Sequence, residues 1–256
     1  MSAPHFVLVH GVYHRAWHFN QLRAELEAVG STVSDLDLPA AGDTSTIHVD
    51  NGLVADAAAI LATIEEAAFK HDNIILLFHS YGGLAGSEAA AQLSSTAASK
   101  IKNIIYLAAF VNPAGTSMSS RTGGRLPPWS RPTEDGKFSY VPDSFDCFYH
   151  DVEPALAKEA HDRLVRQATS IFHTPTKYQG WELFPTTYIF CTDDRALPLR
   201  IQKGFFDKMT EEQVNGWRFE TIQSSHSPYL SKPTELAKLL AQIAENALEI
   251  DSTTKL

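Results

Sequence analysis

Three places in this 256-residue chain put a reactive side chain beside small or turn-forming neighbours. Ser80 sits in Phe78-His79-Ser80-Tyr81-Gly82-Gly83, after an apolar run and before an Ala-rich one. A serine at a sharp strand-to-helix turn has its hydroxyl lifted clear of the sheet edge, where it can attack a carbonyl. The usual pattern for such a turn is Gly-x-Ser-x-Gly. Here Phe78 stands in its first position, while Gly82 and Gly83 keep the second half small. Taken alone, the same serine could simply cap a helix. The second place is Thr192-Asp193-Asp194-Arg195-Ala196-Leu197-Pro198. A carboxylate in the loop after a late strand can orient a histidine and stabilise its cation, although an acidic loop needs no such role. The third is His226, in Ser224-Ser225-His226-Ser227-Pro228. A lone loop histidine is usually solvated, and this chain has 11 histidines. The order changes the weighing. Serine, then acid, then histidine, each just after an expected strand, is an order used for nucleophilic attack on acyl carbons. The chemistry it implies is attack by Ser80 on an ester or lactone, with His226 as base and an aspartate holding the histidine.

The first apolar run supplies the electrophilic part. It ends His10-Gly11-Val12-Tyr13-His14. Gly11 allows a tight turn below the serine. The amides of Val12 and Tyr81 could then bind a developing oxyanion. Gly11, Tyr13 and His14 adjoin that loop and are candidate substrate contacts.

These residues need a scaffold that brings strand ends together. Apolar runs of strand length alternate with helical spacing along the chain. Strands are expected at Phe6–His10, Thr32–Leu38, Asn73–Ser80, Ile101–Phe110, Thr187–Thr192 and Trp217–Ile222. Helices are expected at Trp17–Val29 (with Gly30 as its C-terminal cap), Leu53–Phe69, Gly82–Leu93, Leu199–Met209 and Thr234–Leu248. Ile74 to Phe78 is apolar on both faces, as a central parallel strand must be. Alternation of this kind argues for an α/β fold with a mostly parallel sheet covered on both faces. Such sheets bind ligands at the carboxyl ends of their strands, which is where the three candidates lie.

Between 112 and 184 the character changes to Gly, Pro, Ser and aromatics, with one clear helix at Pro154–Gln167. This stretch reads as an inserted cap on a core made of 1–111 and 185–256. Long segments of this kind often cover sites. Its aromatics, Trp129, Phe148 and Trp181 among them, suggest an apolar or aromatic small-molecule substrate.

Composition narrows the class. Apolar residues are 44% and charged residues 20%, ordinary for a folded domain. Net charge is −9 with no basic cluster, so neither nucleic acid nor an anionic membrane is an expected partner. Two cysteines, Cys147 and Cys191, are expected as reduced core thiols. The N-terminus lacks a basic segment followed by a long apolar run, and no run is long enough to span a bilayer. The C-terminal Thr254-Lys255-Leu256 is close to a peroxisomal address, but Thr replaces Ser. A cytoplasmic location is expected. No metal-ligand spacing such as His-Glu-x-x-His is present, and no cofactor is expected.

On these residues the chain resembles the α/β-hydrolase superfamily, most of all its branch of small methylesterases and hydroxynitrile lyases. The likeness runs over nearly the whole chain. It rests on His10-Gly11, His79-Ser80-Tyr81-Gly82-Gly83, Phe148-Tyr149-His150-Asp151, Tyr188 to Asp194 and His226. The resemblance implies that Asp194 is the acid, with Asp193 as alternate. It also allows a homodimer, though no interface is marked. Two departures bear on the reaction. Lyases of this branch carry threonine where Gly11 stands and lysine where Ser227 follows the histidine, so cyanide release is disfavoured. Serine rather than aspartate at position 80 disfavours an epoxide-opening route. The resemblance therefore implies a carboxylesterase or lactonase. Proton-transfer or C–C bond chemistry on a polyketide-like ketone, with His226 as base, is the alternative. A ligand receptor on the same fold is another.

Overall fold

The computed structural model describes residues 3–42, 49–207 and 209–254. Lys255 and Leu256, the end of the C-terminal tripeptide considered above, lie outside them. Six strands form one sheet in the order β2-β1-β3-β4-β8-β9. They are β1 (His5–Val9), β2 (Thr32–Asp35), β3 (Ile74–His79), β4 (Ile101–Leu107), β8 (Thr186–Cys191) and β9 (Trp217–Ile222). Every neighbouring pair in it is parallel. The expected α/β architecture is the one present.

Burial follows the patterning. Every residue of β1, β3 and β8 is buried, whereas β9, at the edge, buries only Trp217 and Ile222. Helix α1 (Asn20–Ala28) ends as Gly30 predicts. Gly30 takes φ +89°, its amide bonds the Glu27 carbonyl, and the Ser31 amide reaches back to Leu26. That paired closure satisfies carbonyls the helix would otherwise leave open. Helix α2 (Gly52–Lys70) buries Leu53, Ala57, Ile60, Ile64 and Ala67, one stripe at helical spacing. Helix α3 (Gly82–Ala90) is buried at every residue. Its Gly and Ala residues let it lie close to both the sheet and α2.

The chain visits β1, then β2 on one side, then β3 on the other. The order therefore reverses between β1 and β3. A crevice opens at the carboxyl ends of such a strand pair. The sequence places Gly11 and Ser80 there.

Segment 112–184 is more structured than its composition suggested. It carries a three-stranded antiparallel sheet of β5 (Arg131–Pro132), β6 (Phe138–Tyr140) and β7 (Gln167–Ala168). The expected helix to Gln167 stops at Asp162. Beyond it the Val165 amide bonds Tyr13 and Gln167 pairs with Ser139, so tertiary partners take the chain out of the helix. The expected helix Leu199–Met209 likewise ends at Lys203. Phe205 then packs on Phe110, and Phe206 on Tyr188 and Trp217. Cys147 and Cys191 are free and buried, and burial pushes the Cys147 thiol up to about 12. Among the described residues no helix is long and apolar enough to cross a membrane.

Phe78 explains the incomplete turn motif. A Cβ on Gly86 would stand 2.6 Å from the Phe78 ring. Glycine one turn into α3 thus provides the room that glycine at position 78 usually gives. Overpacking costs about 1–3 kcal/mol, against about 1 kcal/mol that alanine returns in helix propensity. Gly86→Ala should therefore lower stability by about 1 kcal/mol in chemical denaturation. In a Phe78→Leu background the same change should cost nothing further. Stabilisation of the single variant would show that the ring does not hold this space.

Candidate active site

Ser80 follows the last residue of β3 and takes φ +54°, a left-handed conformation that non-glycine residues rarely adopt. Its surroundings over-determine this strain. The Ser80 amide donates to Leu107, and its carbonyl accepts from the amides of Gly83 and Phe110. Space is equally tight. A Cβ on Gly82 would meet the Val9 carbonyl at 2.8 Å, and one on Gly11 would meet the Ser80 Cβ at 2.8 Å. A Cβ on Gly83 would run into the Phe110 backbone. The β1 loop and the β3 turn touch because neither has side-chain bulk at the contact.

The acid and the histidine meet across the ends of β8 and β9. His226 Nδ1 donates to Asp194 Oδ2 at 2.6 Å, and both side chains are buried. Asp194 Oδ1 accepts the amides of Ala196 and Leu197, each at 2.8 Å. The other oxygen, Oδ2, takes the histidine, with Gln202 Nε2 donating to it from farther off at 3.4 Å. Because the carboxylate accepts, Nδ1 carries the proton and Nε2 keeps a lone pair for base chemistry. Asp193 is exposed, and only its amide bonds the histidine loop, at Ser224. The side chain at the histidine is therefore that of Asp194. Gln202, which the sequence did not single out, closes the end of β8. Its Nε2 donates to Cys191 and Leu197 carbonyls at 2.9 and 2.7 Å.

The His226 backbone is fixed from two sides. His79 Nε2 donates to its carbonyl at 2.9 Å. From segment 112–184, Asp151 Oδ2 accepts the Ser225 amide at 2.8 Å and the Phe148 carbonyl accepts the Ser225 hydroxyl at 2.9 Å.

Ser80, His226 and Val12 line one cavity of about 270 Å³. Its walls include Phe110, Met118, Trp129, Phe172, Leu197 and Ile201. The amides of Val12 and Tyr81 have no acceptor among the described residues. The Ser80 turn, the histidine of the acid–histidine pair and Val12 thus line one apolar pocket. The sequence profile of the alpha/beta hydrolase family matches residues 6–239.

The chain belongs to the alpha/beta hydrolase family. It is 27% identical to alpha/beta hydrolase nvfD of Aspergillus novofumigatus (strain IBT 16806), over 98% of this chain and 100% of that one. It is 28% identical to methylesterase 7 of Arabidopsis thaliana, over 94% and 96%. Tomato methylketone synthase I, solved with 2-tridecanone, superposes with a TM-score of 0.77 at 21% identity, over 96% and 100%. Within the family the chain sits in the methylesterase-like branch.

Several side chains expected to touch substrate in this hydrolase do other work. Trp129 does line the cavity, with its Nε1 donating to the Ala196 carbonyl at 3.1 Å. Phe148 does not; its ring stacks on His226, with centroids 5.6 Å apart. Trp181 lies elsewhere and packs on Trp217, because Gly180 seats that turn against Ser87 of α3. Gly11 is spent on the approach to Ser80. Tyr13 and His14 are drawn inward by polar partners. The Tyr13 hydroxyl sits between those of Ser130 and Ser139, at 2.6 and 2.8 Å. His14 Nδ1 donates to the Val12 carbonyl and its Nε2 accepts from the Tyr149 hydroxyl. Tyr81 does not line the cavity. Its hydroxyl donates to buried Asp56 at 2.8 Å. Burial pushes Asp56 up to about 7.

A layer of neutral histidines lies beneath the cavity. His10 donates from Nδ1 to Gly11 and accepts the Leu38 amide at Nε2. Burial pushes His10 down to about 4, and holds His14 and His79 well below the ordinary histidine range. The unfolded chain takes up these protons near pH 6.5, whereas the folded chain resists until far lower pH. Their stabilisation is therefore complete above about 6.5 and lost as pH falls toward 4. Asp56 acts oppositely, because its folded form holds a proton the unfolded chain releases. It is one group against three, so the histidines set the sign. Stability should fall between about pH 6.5 and 4, by about 3 kcal/mol for a shift the size of that at His10. Denaturant midpoints across that range check this, and a flat profile would refute it.

Proposed function

We propose that this protein is a serine hydrolase that cleaves a carboxylic ester or lactone of a small, apolar or aromatic substrate through an acyl-enzyme. One observation carries the reading. A serine in a left-handed turn lines the same cavity as a histidine whose Nδ1 is held 2.6 Å from a buried aspartate. The esterase names among the relatives agree with it.

In this reading His226 takes the proton of Ser80 as Oγ attacks the carbonyl carbon. Asp194 keeps the imidazole in the right tautomer and stabilises its cation. The Val12 and Tyr81 amides receive the oxyanion, at roughly 3 kcal/mol per donor. His226 returns the proton to the leaving alkoxide, which departs as alcohol. Water then attacks the acyl-enzyme with His226 again as base, releasing acid and free Ser80. Segment 112–184 acts as a cap that supplies Trp129 and Phe172 to the pocket wall. No step calls on a cofactor.

A serine-reactive fluorophosphonate should give one adduct by intact mass on the native chain and none on Ser80→Ala. On an ester panel Ser80→Ala should lower kcat by about 10⁴-fold or more, and Asp194→Asn by about 10³–10⁴-fold. Asp193→Asn should stay within about threefold of the native chain, since exposed groups matter little. Turnover that survives Ser80→Ala would replace this reading with histidine-only chemistry. Trp129→Ala should raise KM for aryl esters by about tenfold and leave acetate esters nearly unchanged, as lost apolar contact requires. Equal effects would remove Trp129 from the substrate wall.

A further inference from the structure

Two guanidinium groups stand at the opening of the cavity. Its deep residues, Ser80, Val12 and His226, are buried, while Arg125 and Arg195 line it and are exposed. Among the described residues no aspartate or glutamate lines it. The wall between rim and floor is mostly apolar. Sequence reading marked no positive charge near His226, because Arg125 is 101 positions away; the fold brings it to the same cavity.

Each arginine is available to a ligand. Arg125 follows Gly123 and Gly124, which take φ +63° and +81°. Across that turn the Thr122 hydroxyl donates to the Arg125 carbonyl and Arg125 Nε donates to the Thr122 carbonyl. These bonds fix the base of the side chain, and Arg125 has no acidic partner among the described residues. Arg195 pairs with Asp146, but the two side chains are 54% and 73% exposed. Such a pair is weak and easily exchanged. The chain as a whole carries −9 and repels anions. Two cations at this opening, with Asp146 beside Arg195 as their one acidic partner among the described residues, reverse that locally. A guanidinium also presents a planar fork that fits a carboxylate on two bonds.

We propose that this protein selects substrates with an apolar body and a free carboxylate. The body lies along Trp129 and Phe172, and the carboxylate meets Arg125 and Arg195 at the rim. The reacting end rests on the hydrolase reading above; the carboxylate subsite does not, and is tested by binding.

Calorimetry would compare 6-phenylhexanoate with 6-phenylhexanamide, two ligands of equal shape and different charge. The carboxylate should bind about fivefold or more tightly, the upper range of an exposed ion pair per arginine. Arg125→Gln and Arg195→Gln should each reduce the preference by about threefold, and the double variant should abolish it. About 0.5 M salt should shrink it through screening. Asp146→Asn should enlarge it about twofold, because Arg195 loses its competitor. Lys70→Gln, an exposed cation on α2 paired with Glu66, controls for overall charge and should change nothing. No preference in the native chain overturns the proposal, as does a preference that persists in the double variant. The latter would place the carboxylate at the Val12 and Tyr81 amides instead. Esters turned over without any carboxylate preference would sink this proposal alone. A preference lost with the arginines, in a chain that turns over no ester, would sink the hydrolase reading alone.

Discussion

The site depends on one strained backbone position. Ser80 holds φ +54°, a conformation that costs a non-glycine residue roughly 1–3 kcal/mol. The strain persists because several independent contacts require it. Three backbone hydrogen bonds tie Ser80 to β4's end, to Phe110 and to the first turn of α3. Three glycine positions, 11, 82 and 83, sit where any Cβ would collide. The geometry that exposes the hydroxyl is also the geometry that lets β1 and β3 approach. Relaxing the turn would therefore cost packing on both sides of the crevice, not only at the serine.

The Val12 amide needs a second constraint, and segment 112–184 provides it. Tyr13 also takes a positive φ, at +66°. Its amide, carbonyl and hydroxyl all bond residues of that segment: Gln167, Val165, Ser130 and Ser139. His14 then reaches Tyr149. The same segment holds the His226 loop through Asp151 and Phe148. The Val12 loop and the His226 loop are thus braced by one element, which couples their positions. An insertion that only covered a pocket would not need these inward bonds.

Much of this was legible in the sequence, and the remainder was not for identifiable reasons. The strands read clearly because β3 is apolar on both faces and β4 is so from Ile104 onward, and β9 matched residue for residue. The order Ser80, Asp194, His226 was visible because each follows a strand. The helix ends were harder. Pro154 to Asp162 stops early because Tyr13 and β6 claim the following backbone, and no local signal encodes a distant partner. Aromatic identity likewise did not say which way a ring faces. Tyr13, Phe148 and Trp181 look like pocket residues by type, yet hydroxyl partners, a histidine ring and another tryptophan hold them. Gln202 and Gln167, buried and fully used, carried no pattern at all. Phe78 looked like a broken motif until Gly86 was seen to compensate for it one helical turn away.

The electrostatic design follows from burial. A buried charge is costly unless it is paired and hydrogen-bonded. Around the crevice this is met in two ways. His10, His14 and His79 avoid charge altogether: burial keeps each neutral, with protons committed to backbone carbonyls. Asp194 instead accepts two backbone amides, the Gln202 side-chain amide and one imidazole proton. Another carboxylate close behind the turn, Asp56, is pushed toward its neutral form and is bonded by Tyr81 and the Ala40 amide. Neutral neighbours leave His226 beside one strong partner and no competing histidine cation. A positive charge forming on that ring would be opposed by none of the histidines packed around it, and the low-polarity wall would strengthen its attraction to Asp194.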